Sequence, residues 1–579
     1  MASSSRPLTR GAACLPCRKL KAKCDGNKPA CGRCLANNRP DDCEYAVGGE
    51  VTRSRLLEEN IALLESRIKE LENPSDAPSV RLHDPRRQSS TAAGSVRHAL
   101  PETQGLQLYP PVPPSSTSGF VFHHSDAVHP QLHLGAGTIS APSPQEIQIL
   151  LQTFIAHASQ LRFFLNPTRF VQAISSPHGN PGPTCEGLIN AVYLWGSRLS
   201  GSSALRAREA DFCAKAVQTS SGTSLLAQSV APDSGVLYRI QSEVLLALYF
   251  MSSGRALEAK YHSVAAVALA MGSKYHQLDA LGLARAGVDP VSIGEKIHAF
   301  WTVFAMDKGC ASMMHTSPSI CQRGRARVVI TTPWPLPTEA YEQVSFRCSA
   351  PDFPVFMATV QGAVVPRRGY NYSVEDFVDG RVDDSTEEFS RLALHVKAAS
   401  LCERVTYLSL AYTPDSPNAA EFLSQFATLD NVIERFHRQI AAIQNRSPDD
   451  MREVLVCRTH ACVAAIRLHS LFAPHQPASR QKCLTVAIAS ARALDVIDLN
   501  QYRHLDPIVA EMWSTICKVL IEEVRRLRTG AIPVRQEDMA RIINSLDRIM
   551  GAMAILSPTN PLMASNLSQL QQRKASVNL

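Results

Sequence analysis

From Gln145 onward, apolar residues recur at intervals of three and four. Ile147, Leu150, Leu151, Phe154 and Ala158 mark one face, and Leu423, Phe426, Leu429, Ile433, Phe436 and Ile440 mark another. A helix turns once in 3.6 residues, so this spacing predicts amphipathic helices. Similar runs cover 186–200, 239–274, 293–315, 387–412, 452–473, 481–498 and 506–528, and Asn166-Pro167 reads as a helix start with proline in its first turn. The period-two alternation that half-buried strands require is nearly absent. The pattern predicts a large all-α domain over 144–560 and a polar, flexible tail over 561–579.

A tighter repeat stands upstream. Leu57, Leu64 and Leu71 are seven apart, and Ile61 and Ile68 fall four after the first two. With Ile at a and Leu at d, the heptads favour a parallel two-stranded coiled coil. Arg53 and Arg67 fall at g, with Glu58 and Glu72 at e five positions later, which gives attractive pairs between chains. Residues 53–73 are therefore expected to dimerise. Asn73-Pro74 ends the helix, and 74–143, rich in Pro, Ser, Gly and His with Pro-Pro-Val-Pro-Pro at 110–114, reads as a disordered linker.

A chain of 579 residues exceeds one core and divides into several folding units. Hydrophobic residues at 45% and charged ones at 19% suit a large protein with a buried interior, and the net charge of +7 says little until its distribution is known. Met1 to Pro16 shows no apolar segment of a secretory signal. Apolar stretches such as Val244 to Met251 and Val264 to Met271 fall well short of the ~18 residues of a membrane span. An intracellular, reducing location is expected, without membrane attachment. Ten of the 16 cysteines, from Cys185 to Cys517, are scattered singly, as small buried hydrophobes usually are. The other six crowd between Cys14 and Cys43.

Their spacing is Cys14-x2-Cys17-x6-Cys24-x6-Cys31-x2-Cys34-x8-Cys43, an imperfect repeat of a C-x2-C pair followed by a third cysteine. A C-x2-C step lets two sulfurs grip one tetrahedral zinc at about 2.3 Å. Two such ions need eight ligand places, so with six thiolates two sulfurs must bridge. The first cysteine of each pair, Cys14 and Cys31, is the natural bridge. A disulfide knot, or one four-ligand site with two spare cysteines, are the alternatives; the absence of a signal peptide and the cysteine-poor flanks oppose the knot. Between Cys17 and Cys24 stand Arg18, Lys19, Lys21 and Lys23 without an acid. Six thiolates and two zinc ions carry a formal charge of −2, so part of this basic run offsets the metal core and the remainder suits phosphate.

The stretch Ala13-Cys-Leu-Pro-Cys-Arg-Lys-Leu-Lys-Ala-Lys-Cys-Asp-Gly-Asn-Lys-Pro-Ala-Cys-Gly-Arg-Cys34, closed by Cys43-Glu-Tyr45, resembles the fungal binuclear zinc cluster of transcription factors. The resemblance implies two short helices around two zinc ions, one held by Cys14, Cys17, Cys24 and Cys31, the other by Cys14, Cys31, Cys34 and Cys43. It implies that Lys21 reads guanine edges in the major groove and that Arg18 and Lys23 touch phosphate, usually on CGG triplets. Leu20 departs from the pattern, since many members carry a second basic residue there. In the helical region Phe163-Phe-Leu-Asn-Pro-Thr-Arg-Phe170, Ala191-Val-Tyr-Leu-Trp-Gly196, Tyr261-His-Ser-Val-Ala-Ala-Val267, His298-Ala-Phe-Trp-Thr-Val-Phe304 and Thr332-Pro-Trp-Pro335 resemble the fungal transcription-factor regulatory domain, or middle homology region.

No G-x-S-x-G, H-E-x-x-H, G-x-x-x-x-G-K-[ST] or G-x-G-x-x-G occurs, so nothing points to an enzyme. Cys457, His460 and Cys462 lie close together on an apolar helix, where packing is the simpler role, as it is for His262, His298 and His469. The expectation is a mostly α protein: a zinc cluster at 1–48, a coiled coil, a linker and an all-α regulatory domain. Its expected role is that of a nuclear, homodimeric regulator of RNA polymerase II genes, binding double-stranded DNA and working with the transcription machinery.

Overall fold

A computed structural model describes residues 13–28, 30–37, 43, 45, 141–175, 183–222, 233–321, 328–347, 372–382, 390–412, 419–443, 447–529 and 535–577. The expected coiled-coil seam, Leu57, Ile61, Leu64, Ile68 and Leu71, and the expected linker up to residue 140 lie outside these. Every regular element among the described residues is helical. The chain divides into two units, 1–129 and 130–579. The first contains the short helices α1 (Leu15–Lys19) and α2 (Gly32–Ala36).

The second unit opens with α3 (Pro144–His157), whose start is locked by a capping box. Ser143 Oγ accepts the Glu146 N–H at 3.2 Å, and Glu146 accepts the Ser143 N–H at 2.7 Å. The Asn166-Pro167 start is realised in α4 (Pro167–Ser175), where Asn166 Oδ1 accepts the Arg169 N–H. Helix α5 (Pro183–Leu199) packs against α3, α6 (Glu209–Gly222) and α7 (Asp233–Ser252). Trp195 of α5 is fully buried and donates its indole N–H to Leu245 O at 2.9 Å.

The apolar run 239–274 is two helices, not one. α7 ends at Ser252 and α8 (Ala256–Gly272) folds back along it. The reason is local: Gly254 takes φ +75, the Gly254 N–H bonds Met251 O, and the Arg255 N–H reaches Phe250 O at 2.9 Å. This is the paired hydrogen bonding of a helix stop at a left-handed glycine.

Helix α9 (Pro290–Met314) is buried on all sides from Val291 to Ser312, and α10 (Arg391–Ala411) and α12 (Pro448–Ser470) lie against it or each other in the same core. A helix enclosed on most sides needs no single apolar stripe, and these three bury polar residues such as Lys397, Glu403, Arg452 and Glu453 as well, so their amphipathic contrast is small. Helix α11 (Ala419–Ala441), with its clear stripe, covers α12 from one side, and α13 (Pro477–Arg492) and α14 (Ile508–Thr529) also pack on α12. Trp301 stacks flat on Trp334, ring centres 4.9 Å apart, and the two indoles donate to Pro333 O and Tyr372 O.

The expected flexible tail is corrected. After α15 (Gln536–Leu556), residues Pro561–Ser576 form α16, packed on α14 and α15. Asn560 Oδ1 caps it through the Met563 N–H, proline opens its first turn, and Met563 and Leu570 are wholly buried. Among the described residues, no helix is long and apolar enough to cross a membrane.

Candidate metal centre and nucleic-acid interface

Helices α1 and α2 repeat one plan. Each is capped by a cysteine, Cys14 or Cys31, and carries a second one turn later, Cys17 or Cys34. At the start of a helix, positions three apart share a face, so each C-x2-C pair turns both sulfurs to the same side. The two faces meet. Cys14 Sγ lies 3.7 Å from Cys31 Sγ and 3.8 Å from both Cys34 Sγ and Cys24 Sγ, and Cys17 Sγ lies 3.7 Å from Cys31 Sγ.

These lengths discriminate between the readings of the cluster. A disulfide is about 2.05 Å long, and none joins the described cysteines. Four sulfurs at about 2.3 Å around a tetrahedral ion stand roughly 3.8 Å apart. Two sets of four, Cys14, Cys17, Cys24, Cys31 and Cys14, Cys31, Cys34, Cys43, each keep their sulfurs within 4.8 Å of one another. Cys14 and Cys31 belong to both. The donor set and its spacing therefore fit two zinc ions with two shared thiolates.

The surroundings prepare the sulfurs for metal. Cys14 and Cys31 are wholly buried, whereas Cys24 and Cys43 are half-buried. Backbone N–H groups point at sulfur: Cys31 N–H to Cys43 Sγ at 3.1 Å, and Cys34 N–H to Cys31 Sγ at 3.3 Å. Such outer hydrogen bonds orient ligands and favour the thiolate. Without a cation, burial pushes the Cys14 thiol far up, and hydrogen bonding to Cys31 takes Cys34 to about 12. A metal ion is what makes so dense a thiolate cluster stable, at the cost of released protons.

Asp25 and Tyr45 hold the two halves together; Asp25-Gly26, followed by Pro29, reads from sequence as the turn that links them, whereas Tyr45 carries no such expectation. Both Asp25 carboxylate oxygens accept the Gly32 N–H, at 3.1 and 2.9 Å, at the start of α2. A Cβ at position 32 would stand 2.7 Å from Asp25 Oδ2, so a larger residue there would displace the carboxylate from its present place. The Tyr45 hydroxyl donates to Asn27 O at 2.9 Å while the residue packs on the sulfur cluster. The only sequence signals were the Asp25-Gly26 turn, where Gly26 takes φ +72, and an aromatic two residues beyond the last cysteine.

Lys19 ends α1, and Arg18, Lys21 and Lys23 are exposed around its C-terminus. The Lys21 N–H bonds Arg18 O at 3.1 Å and the Ala22 N–H bonds Cys17 O at 2.9 Å. This is again the helix stop, but with Lys21 at φ +50 where glycine is usual. A side chain in the left-handed region costs about 1 kcal/mol. The basic turn is thus built directly onto a cysteine of the metal set.

A second group of metal-type donors, His395, Glu453 and Cys457, lies buried in the helical unit. It already holds a cation. The Arg162 guanidinium bonds Glu453 at 3.2 Å and Asp506 at 2.9 Å, and His395 Nδ1 lies 2.7 Å from Glu453 Oε1. Burial raises the Glu453 carboxyl, but Arg162 and His395 outweigh it and hold the group far below the usual carboxylate range. Cys457, His460 and Cys462 are buried, as the packing reading expects. His262, His298 and His469 are tied to Glu243, Leu336 O and Asp430.

Residues 12–48 match the profile of the fungal Zn(2)-Cys(6) binuclear cluster domain. A 35-residue stretch is 60% identical to an uncharacterized transcriptional regulatory protein of Saccharomyces cerevisiae, covering 6% of each chain. A 63-residue stretch is 35% identical to transcription factor FBD3 of Gibberella moniliformis, covering 11% of this chain and 8% of that one. The matched part thus spans less than a tenth of the length of either relative. Cysteine geometry and profile coincide, and the N-terminal segment is a binuclear zinc cluster that takes two zinc ions.

Proposed function

We propose that the protein is a zinc-dependent, sequence-specific DNA-binding regulator of transcription by RNA polymerase II, acting in the nucleus and not as an enzyme. One observation carries the reading: two sets of four clustered sulfurs share Cys14 and Cys31, and an exposed basic turn is fastened to one of them. Cys14, Cys17, Cys24 and Cys31 hold one ion, and Cys14, Cys31, Cys34 and Cys43 the other. All-cysteine coordination leaves no open position for a catalytic water, so the zinc is structural. Its work is to make so small a segment, which lacks an apolar core, fold at all.

The folded cluster presents Arg18, Lys19, Lys21 and Lys23 to DNA. Lys21 reads guanine in CGG-type triplets, and the others neutralise phosphate. Both matched relatives are described as transcriptional regulators, which supports this role. Residues 53–73 pair two copies into a homodimer, 74–143 tether them, and 144–560 form the regulatory domain.

The test is zinc stoichiometry and DNA binding of the full chain. Native mass spectrometry should give two zincs per chain, and chelation should abolish binding. Lys21→Ala should remove the preference for a CG-rich triplet, whereas Arg18→Ala should weaken binding to all DNA and flatten its salt dependence. One zinc per chain, or unchanged site preference in Lys21→Ala, would overturn the reading.

A further inference from the structure

Leu20 closes α1 as its C-cap, and its N–H bonds Pro16 O at 3.0 Å. The next two N–H groups, of Lys21 and Ala22, are fixed to Arg18 O and Cys17 O. The backbone at this turn is therefore rigid and referenced to the metal set. Yet the Leu20 side chain is 68% exposed, more than Leu35, the other exposed large hydrophobic described in this unit. It takes no part in the small core, which consists of the cysteines and Tyr45. Arg18, Lys21 and Lys23 surround it in sequence, all exposed. An aliphatic group thus stands in the middle of the edge that is most basic.

We infer that Leu20 is a base-reading residue that packs on the C5-methyl group of a thymine beside the guanine contacted by Lys21. The inference rests on the DNA-binding reading above and extends it to a second base. When the basic edge docks, Leu20 is carried into the major groove with Lys21, because one turn holds both. Base edges there offer hydrogen-bond donors and acceptors, which an aliphatic side chain would bury without partners. The thymine methyl is the one apolar group on that surface among the four bases. Contact with it removes about one methyl's worth of apolar surface from water on each side. A methylated cytosine presents the same group at the same ring position and should be accepted equally.

The test starts with selection of sites from randomised duplexes by the zinc-loaded full chain. Thymine should be enriched next to the guanine. In the selected duplex, uracil in place of that thymine deletes only the methyl, and affinity should fall about fivefold. Cytosine there should bind weakly and 5-methylcytosine should recover the loss. Leu20→Ala, checked for two zincs per chain, should bind the thymine and uracil duplexes alike, and Leu20→Lys should shift selection at that position toward guanine. Selection of a specific site with equal affinity for thymine and uracil would overturn the role of Leu20 alone. Selection of no site at all would overturn the DNA-binding reading beneath it.

Discussion

Gly32 and Tyr45 decide how tightly the metal cluster is closed. The Asp25 carboxylate lies against the Gly32 N–H with no room for a Cβ, so Gly32→Ala must push away a charged acceptor at the start of α2. Hydrogen bonds to charged groups contribute roughly 1.5–3 kcal/mol. Zinc release to a competing chelator should therefore be at least tenfold faster in Gly32→Ala. Tyr45→Phe loses the neutral bond to Asn27 O, worth about 1 kcal/mol, and a long contact of 3.8 Å with Cys24 Sγ, and release should speed up only about fivefold. A chelator-dye release assay on both variants reads this order directly, and the reverse order would refute it. The cysteines were legible because their spacing is dictated by ligand chemistry. The linking turn was legible too, in Asp25-Gly26 and Pro29, but the bond from the Gly32 N–H to Asp25 was not, because that partner lies seven residues away across the turn.

At the scale of elements, the spacing marked amphipathic helices and enclosed ones alike, the latter as the runs 293–315, 387–412 and 452–473, but not the polar last helix. Helix α11 was readable from its stripe, whereas α16 has Leu562, Met563, Leu567 and Leu570 to mark a face in an otherwise largely polar helix. It is secured by what covers it, α14 and α15. Met563→Ala should lower stability by 2–5 kcal/mol, the usual range for emptying a fully buried Met site, and a truly loose tail would show no change in denaturant midpoint. For the heptads at 57–71, Leu64→Pro breaks the proposed seam in its middle. The variant should keep two zincs, while its affinity for paired triplets drops toward that for a single one. With nine residues, Glu44 to Thr52, between Cys43 and the start of the heptads, each tether averages about 16 Å and stretches to about 30 Å, so paired triplets about one helical turn apart are within reach. Equal binding of the parent to single and paired triplets, with no dimer on the latter, would make it a monomeric binder.

The helical unit buries several ionisable groups within its apolar core, and these set its response to acid. Burial lowers His460 to about 4, with His395, Asp506 and Arg162 nearby, and lowers His504 to about 3, beside Asp506, Arg198, Arg452 and Arg162. An unfolded histidine titrates near 6.5. Below that pH the unfolded chain binds protons that the folded chain refuses, so stability is complete above about 6.5 and falls as pH drops toward 4. Each histidine removes about 2 kcal/mol at pH 5. Glu453 adds to the loss only below about 4.5, where an ordinary glutamate begins to protonate. Denaturant midpoints of the full chain, followed through helical circular dichroism, should stay level from pH 7.5 to about 6.5 and then fall down to pH 5. A flat profile over that range would contradict the burial of these two rings.

What the sequence determined by itself is whatever is encoded within a few turns of chain. The zinc-binding cysteines lie within thirty residues of one another, helical periodicity repeats every 3.6 residues, and both can be read without knowing what packs on what. Tertiary structure alone decided the rest. Arg162 meets Asp506 across 344 positions, and Glu453 across 291. No local pattern distinguishes that arginine from others on the surface, because its role exists only after burial has removed water and left the carboxylates as its partners. The same holds for α16, whose thin apolar face becomes a buried one only when α14 and α15 are already in place.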